Sequence, residues 1–559
     1  MTQPNPSTAM ARAVIDELAR DEVSLVVISP GSRSAALVIA AAEHPDLETR
    51  VVLDERSAAF LGQGRAKATG EPAAVVSTSG TAPANFLPAV VEADLSLTPL
   101  ILLTADRPAE MRGVGANQTI DQRRLFGSRV RRFAELAAPG SDPDMNHHWR
   151  SLTAEAVARS KGWAGRPGPV QLNVAFREPT VPVPDDGRTR AERYPHSIEG
   201  REGNIPWLRL PIADPPGLPE LELPEASRPL LVLGEGAYDR SAMRRHVERL
   251  GWPALATALS GMRGDGVVTS YHHLLADGIP EPLRPELVVS VGAIGPSARL
   301  QSLVSSARVS IRVDRWGRRL DPDRSVTHLV HADPVALLGR FSKGGGPGWA
   351  EAWGGADATA REAMTRVLAE APGPTGAAVV DALCAVGWGT LVAASSLPIR
   401  EVDAHLVVPG VVVGNRGASG IDGFVSTARG VASAARATVA LSGDLSLLHD
   451  QNGLLSDEPD DLVLVVLDNE GGGLFDSLPL PDHAPEYERL FLAPPHRDLE
   501  LLARFHEIPV TTVTDRRAII SAVSEGIEAG GIRMVRVPID RRADLRMRRA
   551  LDDAGAAAG

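Results

Sequence analysis

Short apolar runs separated by longer mixed stretches recur along the whole chain. In the first third they occupy residues 24–29, 50–54, 73–79, 99–105 and 169–174. Two further groups lie at 228–234, 285–292 and 309–314, and at 437–446, 461–473 and 535–540. Uninterrupted Val- and Leu-rich runs that alternate with helical stretches are typical of parallel strands buried on both faces. The pattern predicts an α/β protein with three doubly wound parallel sheets.

Segments rich in proline, glycine and acidic residues separate these three groups of runs. Residues 183–227 contain several proline and acid clusters and are predicted to form an extended linker. Glycine and proline cluster again at 344–348 and 371–374. These breaks predict three domains, over residues 1–182, 228–345 and 373–559.

Composition narrows the classes of function. The chain has 559 residues with one cysteine, Cys384, so an intrachain disulfide and a four-cysteine zinc site within one chain are excluded. Acidic residues stand near the N-terminus where a signal peptide needs basic ones, and no run of about eighteen apolar residues occurs. The formal net charge of -12 argues against a general affinity for nucleic acid. We therefore expect a cytoplasmic protein with no membrane span and no nucleic-acid partner.

Asp444 and Asn469 lie at the ends of two consecutive apolar runs, 437–446 and 461–473. Strand ends that lie side by side can present a carboxylate and an amide oxygen to one ion, and Mg²⁺ binds through few protein oxygens plus the phosphates of a ligand. The glycine-rich turns add backbone N–H donors for those phosphates. For this segment alone, an ordinary pair of strand-end caps is the alternative.

A dinucleotide site is a second possibility, in the middle group of runs. Gly234 and Gly236 follow a strand, but Asp239 occupies the position of the third glycine of the dinucleotide fingerprint. An acid there has the wrong charge to face a pyrophosphate. A tight strand-to-helix turn is the favoured interpretation.

The segment around Asp444 is similar to the metal-diphosphate signature of thiamine diphosphate (ThDP) enzymes. It departs from that signature at Leu445, which replaces the usual third glycine, and at Asp468, which replaces the first asparagine of a pair. The resemblance implies that Asp444, the Asn469 side chain and the Gly471 carbonyl bind Mg²⁺, or Mn²⁺ in its place. It also implies that the cofactor contacts Gly443, Asp444, Leu445, Ser446 and Asn469.

ThDP chemistry needs a carboxyl group hydrogen-bonded to N1′ of the aminopyrimidine. Glu55 lies where the run 50–54 ends and a helix rich in small residues begins. We expect its carboxyl group to be buried in a cleft between subunits as the catalytic partner of N1′. The alternative is a surface turn formed by residues 54–56.

Further segments resemble one family of ThDP enzymes, the 2-succinyl-5-enolpyruvyl-6-hydroxy-3-cyclohexene-1-carboxylate (SEPHCHC) synthases of menaquinone biosynthesis. They are SPGSRSAAL (29–37), DERSAAFLGQG (54–64), TSGTAPANFLPAVVEA (78–93), TADRP (104–108), GANQTIDQ (115–122), NRGASGIDG (415–423) and GDLSLLHD (443–450). The resemblance implies a pyrimidine-binding domain over 1–182, a middle Rossmann-like domain over 228–345 and a diphosphate- and Mg²⁺-binding domain over 373–559. It implies decarboxylation of 2-oxoglutarate and 1,4-addition of the resulting carbanion to isochorismate, with no release of pyruvate at this step.

Both implied substrates carry several carboxylates, which arginine binds in a fork geometry. Substrate-carboxylate binding is carried over to Arg33, Arg107, Arg400 and Arg416, with a polar lining from Ser32, Asn117, Gln118 and Ser396. Ile421 is carried over as the apolar wedge beneath the cofactor. The apolar side of the substrate pocket is assigned to Leu474, Phe475 and Leu478, for which plain core packing is the alternative.

The family builds its active site between subunits, so a homodimer is the expected minimum and a homotetramer is compatible with it. Three rival functions stay open. One is another ThDP-dependent 2-oxoacid decarboxylase or carboligase, which the number of arginines opposes. The others are a nicotinamide-dependent oxidoreductase and a non-catalytic regulator with the ThDP-enzyme fold, which Glu55 opposes.

Overall fold

The computed structural model describes residues 4–182, 193–222, 224–456, 458–494 and 496–559. Part of the predicted linker, 183–192, lies outside the described residues. The chain divides into two compact units. The first comprises Met1–Ala213, Asn415–Ala435 and Ser446–Asp460, and the second comprises Asp214–Gly414, Arg436–Leu445 and Asp461–Gly559. The predicted domain boundaries stay predictions.

The strands and helices alternate as the hydrophobic pattern predicts. The strands are β1 (Leu25–Ile28), β2 (Glu48–Val51), β3 (Ala73–Ser77), β4 (Leu100–Asp106), β5 (Phe133–Leu136), β6 (Pro169–Ala175), β7 (Pro229–Leu233), β8 (Ala254–Ala256), β9 (Leu287–Val291), β10 (Val309–Asp314), β11 (His328–His331), β12 (Thr390–Ala393), β13 (Val411–Val413), β14 (Thr438–Gly443), β15 (Leu462–Asp468), β16 (Val510–Thr512) and β17 (Ile532–Pro538). The α-helices are α1 (Pro6–Arg20), α2 (Ala35–Glu43), α3 (Glu55–Thr69), α4 (Leu87–Ser96), α5 (Met145–Ser160), α6 (Arg240–Leu250), α7 (Tyr271–Leu274), α8 (Ala298–Ser306), α9 (Pro334–Gly339), α10 (Trp349–Ala369), α11 (Gly376–Leu383), α12 (Leu397–His405), α13 (Phe424–Ala432), α14 (Asp444–His449), α15 (Leu480–His483), α16 (Leu499–Phe505), α17 (Arg516–Ala529) and α18 (Arg541–Ala556).

Within the described residues these strands form three sheets, and every pairing between the named strands is parallel. The sheet of the first unit has the order β2-β1-β3-β4-β6-β5. The second unit holds a sheet of order β11-β10-β9-β7-β8 and a sheet of order β13-β12-β14-β15-β17-β16. The prediction of three parallel α/β sheets is confirmed.

In the first unit, apolar clusters cover both faces of the sheet. One cluster joins the β-strands to α1, α2 and α5, and the other joins them to α3 and α4. Helix α13 packs closely on α3, because glycines remove the side chains that would separate the two backbones. A Cβ on Gly64 would lie 2.1 Å from the Thr427 carbonyl oxygen, and one on Gly430 would lie 2.0 Å from that of Leu61.

In the second unit, the middle sheet carries apolar clusters on both faces and the last sheet has a third. The turn after β7 is the strand-to-helix turn that the sequence favours over a dinucleotide site. A Cβ on Gly234 would lie 2.3 Å from the Ala293 carbonyl oxygen. The Asp239 carboxylate caps α6 by accepting a hydrogen bond of 2.9 Å from the Ala242 backbone N–H.

Several predicted strand ends are wrong. The runs 437–446 and 461–473 are strands only as far as Gly443 and Asp468, because α14 begins at Asp444 and a turn follows Asp468. The run 50–54 was expected to be strand to its end, but β2 stops at Val51, and the Asp54 side chain accepts a hydrogen bond from Ser57 N to cap α3. The N-cap requirement of a helix therefore overrides the apolar character of the run. Among the residues that the structure describes, no helix combines the length and apolar character needed to cross a bilayer.

Candidate active site

In the second unit, Asp444 stands where the buried strand β14 ends and α14 begins. Its neighbour in the sheet is β15, with Gly443 paired to Leu467, so the two strands end at the same edge. The Asp444 carboxylate accepts hydrogen bonds of 2.7 Å from the Leu445 and Gly471 backbone N–H groups. Burial raises the pKa of Asp444 to about 6, against the lowering effect of those N–H donors.

The surroundings of Asp444 fit a bound cation. Within the described residues no Lys, Arg or His side chain forms an ion pair with this buried carboxylate, so its charge has only backbone N–H partners. A Cβ on Gly443 would meet no atom within 4 Å other than those of its chain neighbours, so the backbone just before Asp444 borders open space. A hard divalent cation would supply the missing positive charge.

The turn after β15 brings the other two predicted metal ligands to the same edge. Asn469 directly follows β15, and its Nδ2 lies 2.6 Å from where a Cβ on Gly473 would stand. Gly471 has φ 121°, a conformation that favours glycine, and its carbonyl oxygen accepts a hydrogen bond of 2.7 Å from Gly473 N. A carbonyl oxygen has two lone pairs and can accept a second partner, so the donor set of carboxylate, amide and carbonyl oxygens suits Mg²⁺.

Ser396 and Arg400 lie at the start of α12, which follows the third sheet's strand β12. Ser396 has φ 72°, and its carbonyl oxygen accepts a hydrogen bond of 2.6 Å from Arg400 Nη1. The C-terminal end of the same helix is held by Arg263, a fully buried side chain. Arg263 donates hydrogen bonds to the Val402 and Asp403 carbonyl oxygens and pairs with the Asp403 carboxylate at 3.3 Å. The helix that carries Arg400 is therefore fixed at its far end to the loop after β8.

The predicted apolar pocket residues lie on the segment that follows the turn. Leu474 and Phe475 belong to a 3₁₀ turn, Gly473–Ser477, and the Phe475 ring contacts that of Phe491 edge-on at 6.1 Å. Leu478 is 44% exposed, which excludes the alternative of core packing for this residue.

In the first unit, Glu55 is the first residue of α3 and lines an open cavity of about 380 Å³. The cavity is lined by Leu53, Asp54, Glu55, Arg56, Asn85, Asn452 and Leu455. Glu55 Oε2 accepts a hydrogen bond of 3.3 Å from Asn85 Nδ2. The Glu55 side chain is half-buried in the single chain, because the cavity that it lines is open to solvent. Its burial between subunits stays a prediction.

Arg33 and Arg107 come together at the carboxyl ends of β1 and β4. Arg33 lies in a 3₁₀ turn, Ser32–Ser34, and donates a hydrogen bond of 3.0 Å to the Phe176 carbonyl oxygen. Arg107 Nη1 donates to Ser79 Oγ. Burial and the neighbouring Arg33 charge lower the pKa of Arg107, so the two guanidinium groups lie within electrostatic reach of each other. Two buried cations at one sheet edge form a site suited to an anion.

The remaining polar residues of this edge differ in how closely they join the arginine pair. Gln118 Nε2 donates a hydrogen bond of 3.0 Å to the Ser79 carbonyl oxygen, so it lies beside Arg107's partner. Ser32 and Asn117 are exposed, and the Asn117 backbone carbonyl accepts a hydrogen bond from Thr119 Oγ1. The structure brings Gln118 to the pair and leaves the Asn117 side chain open to solvent.

A buried network of polar side chains, which the sequence did not predict, fixes the backbone at Arg107. Asp106 Oδ1 accepts a hydrogen bond of 2.7 Å from Arg107 N, and Asp106 Oδ2 accepts from Asn173 Nδ2 at 2.9 Å. Gln122 donates to Asn173 Oδ1 at 3.0 Å and accepts from Gly80 N at 3.0 Å. These residues are spread over β4, β6 and a loop, so no local pattern links them, although Gln122 ends one of the family-like segments.

Arg416, Ile421 and Ser446 also belong to the first unit. Arg416 is half-buried in a loop that the buried Glu92 of α4 fixes, since its carboxylate accepts from Gly417 N at 2.9 Å and from Ala418 N at 2.6 Å. Ile421 is half-exposed shortly before α13, and Ser446 lies buried in α14. Glu92 was missed as a site residue, because its role depends on a loop more than 300 positions away in the chain.

The chain is similar to known proteins, in its first unit alone and over nearly its full length. A family model described as thiamine pyrophosphate enzyme, N-terminal TPP binding domain, matches residues 8–125. A 2-succinyl-5-enolpyruvyl-6-hydroxy-3-cyclohexene-1-carboxylate synthase of Thermobifida fusca (strain YX) is 42% identical over 573 aligned residues, which cover 99% of this chain and 100% of the relative. Proteins of the same name from Roseiflexus sp. (strain RS-1) and Rubrobacter xylanophilus are 37% and 38% identical, each over 98% of both chains.

Proposed function

The chain belongs to the SEPHCHC synthase family, and from that premise we propose that it decarboxylates 2-oxoglutarate and adds the resulting succinyl unit to isochorismate by 1,4-addition, giving SEPHCHC in menaquinone biosynthesis. It is a ThDP-dependent transferase that forms a C–C bond. Pyruvate is not released at this step.

One observation supports the cofactor proposal above the others: the buried Asp444 carboxylate has no cationic side-chain partner in the described residues. We propose that Asp444, the Asn469 side chain and the Gly471 carbonyl hold Mg²⁺, with Mn²⁺ as the alternative metal, and that the metal holds the diphosphate. Gly443, Leu445 and Ser446 are proposed to line the diphosphate site. When bound, ThDP supplies the electron sink that allows a 2-oxoacid to lose CO₂ and form a new carbon–carbon bond.

The chain's own residues would position the reactants. Glu55 is the proposed catalytic carboxyl group, holding a proton against N1′ of the aminopyrimidine, and Ile421 is proposed to support the bent cofactor. Substrate binding is proposed for the buried arginine pair, Arg33 and Arg107, and for the other predicted residues: Ser32, Asn117, Gln118, Ser396, Arg400, Arg416, Leu474, Phe475 and Leu478. Arginine suits this task because 2-oxoglutarate and isochorismate each carry two carboxylates.

A homodimer with its active sites at the subunit interface is the proposed minimum assembly, and a homotetramer is compatible with it. The open cavity beside the half-buried Glu55 supports this proposal, since a second chain could complete it. The expected cytoplasmic location stays a prediction, and fractionation of cells that produce the protein would test it.

The first test is consumption of isochorismate in the presence of 2-oxoglutarate, ThDP and Mg²⁺, with each component omitted in turn. Loss of isochorismate absorbance that requires all of them supports the synthase. Release of CO₂ without loss of isochorismate would instead indicate another 2-oxoacid decarboxylase. A change in NADH absorbance would indicate an oxidoreductase, and no reaction would indicate a non-catalytic protein.

A further inference from the structure

Arg33, one of the proposed substrate arginines, is paired with an acid of its own chain. The guanidinium Nη2 lies 3.1 Å from Oε1 of Glu178, just beyond the end of β6. The Arg33 side chain is 10% exposed and the Glu178 side chain is 72% exposed. The pair therefore joins a fixed, buried cation to an acid that can move into solvent.

The position of Arg33 does not depend on Glu178. Its Nη1 donates a hydrogen bond of 3.0 Å to the Phe176 carbonyl oxygen, and Phe176 is fully buried in the first unit's core. Removing the Glu178 carboxylate would therefore leave the guanidinium in place. What would change is the charge that faces it.

The acid also acts on the second arginine of the pair. The Glu178 charge raises the pKa of Arg107, against the larger lowering by burial and by Arg33. The buried Nε atoms of Arg33 and Arg107 have no hydrogen-bond partner in the described part of the chain. The exposed Glu178 carboxylate therefore pairs with Arg33 and adds to the larger effect of Asp106 on Arg107, and both guanidinium groups still have donor capacity.

We propose that Glu178 is an internal competitor for the substrate: its carboxylate occupies Arg33 in the free enzyme and must be displaced by a substrate carboxylate. This inference rests on the proposed function of the arginine pair. A ligand with a carboxylate at this position exchanges one charge-assisted hydrogen bond for another, whereas a ligand without one leaves the internal pair intact and gains nothing there. Glu178 would thus lower the affinity for every ligand that uses Arg33, while keeping the buried cations compensated when no ligand is bound.

The test is Glu178→Gln, which keeps the shape of the side chain and removes its charge. We expect the KM of the substrate held by Arg33 to fall about two- to fivefold, the effect of removing one exposed ion pair. The KM of the other substrate and kcat should stay within the error of the measurement. If that substrate is isochorismate, its equilibrium binding to the ThDP- and Mg²⁺-loaded enzyme, measured without 2-oxoglutarate, should tighten by the same factor.

A matched control is Glu110→Gln. Glu110 is an exposed acid that pairs with Arg177, the residue next to Glu178, at 2.7 Å. The Glu110→Gln substitution removes one negative charge from the same surface without changing the partner of Arg33. It should therefore leave the KM values of both substrates unchanged.

Three outcomes would overturn the inference: an unchanged KM for both substrates in Glu178→Gln, an equal fall for both, or a rise. A rise would show that Glu178 positions Arg33 for binding, and an equal fall in the KM of both substrates would show a general effect of surface charge. Failure of the proposed function is distinguishable, because wild-type enzyme would then not consume isochorismate in the four-component assay.

Discussion

Glu92→Gln is expected to weaken catalysis although Glu92 is not proposed to touch substrate. Its carboxylate accepts from Gly417 N at 2.9 Å and Ala418 N at 2.6 Å, and the Lys67 ammonium group lies 3.2 Å away. The side chain is 3% exposed, so water cannot replace a lost partner. These contacts fix the loop that carries Arg416.

The expected loss of kcat/KM depends on which Glu92 carboxylate oxygen is replaced by the NH₂ group of glutamine. Glu92 Oε1 serves both Gly417 N and Lys67, so the glutamine oxygen should keep that position. The new NH₂ group would then face the Ala418 N–H, leaving a buried donor unsatisfied at a cost of about 1–3 kcal/mol. If that cost is met by displacing the Arg416 loop, kcat/KM falls roughly 5- to 150-fold.

The assay is steady-state turnover with each substrate varied in turn, together with thermal unfolding of the same variant. Glu155→Gln is the matched control, because Glu155 also pairs with arginines, Arg132 at 3.3 Å and Arg159 at 3.6 Å, but fixes no loop of the site. It should retain wild-type kcat/KM. A melting temperature lowered in Glu92→Gln with kcat/KM unchanged would refute the link between this carboxylate and Arg416.

Three further expectations concern the proposed chemistry and the fold. Glu55→Gln should lower turnover by roughly 10²- to 10⁴-fold, the usual contribution of a positioned proton-transfer group to the rate. The melting temperature should stay unchanged because the residue is half-exposed, and normal turnover would show that the acid is misassigned. Chelation with EDTA should abolish turnover and Mg²⁺ should restore it in the wild type but not in Asp444→Asn, and restoration in the variant would exclude Asp444 as a ligand. Burial lowers the pKa of His273 below its ordinary 6.5. As the pH falls below about 6.5, the imidazole therefore becomes protonated in the unfolded chain while it is still neutral in the folded protein, and the free energy of unfolding should decrease. Melting between pH 5 and 7.5 should therefore be less pH-dependent in His273→Gln, and an unchanged profile would contradict this.

Most of the strands found by sequence are buried on both faces, although β2 and β17 are only partly buried. Strands β4 and β15 are seven residues long and entirely buried, and their sequences begin with apolar runs of four and six residues. Strands β5, β8, β11, β13 and β16 lie at sheet edges and have three or four residues each, which gives no clear period. Strand β12 is internal and buried but has only four residues, too few to distinguish from a turn of buried helix.

Some residues of the candidate site could likewise be predicted from the sequence, and others could not. Asp444 and Asn469 could be predicted together because parallel neighbours must end at the same edge, so sequence position alone fixes their proximity. Glu92 and Glu178 could not, because nothing local links an acid on a helix to a distant loop, or an acid after a strand to an arginine over 140 positions earlier. Tertiary packing decides such pairs.

Strands β14 and β15 lie in the interior of their sheet, with β12 on one side and β17 on the other. Their backbone amides can exchange with solvent only when several strands separate at once, and such amides are among the slowest to exchange in a protein. The turn beyond β15 is different, since Glu470 and Gly471 hold left-handed or extended positive-φ conformations outside the ladder and can open without it. Loss of the cofactor would then disturb the turn and spare the strands. Reactivation of cofactor-free protein should accordingly proceed at the rate of ligand binding and turn closure, with no refolding phase.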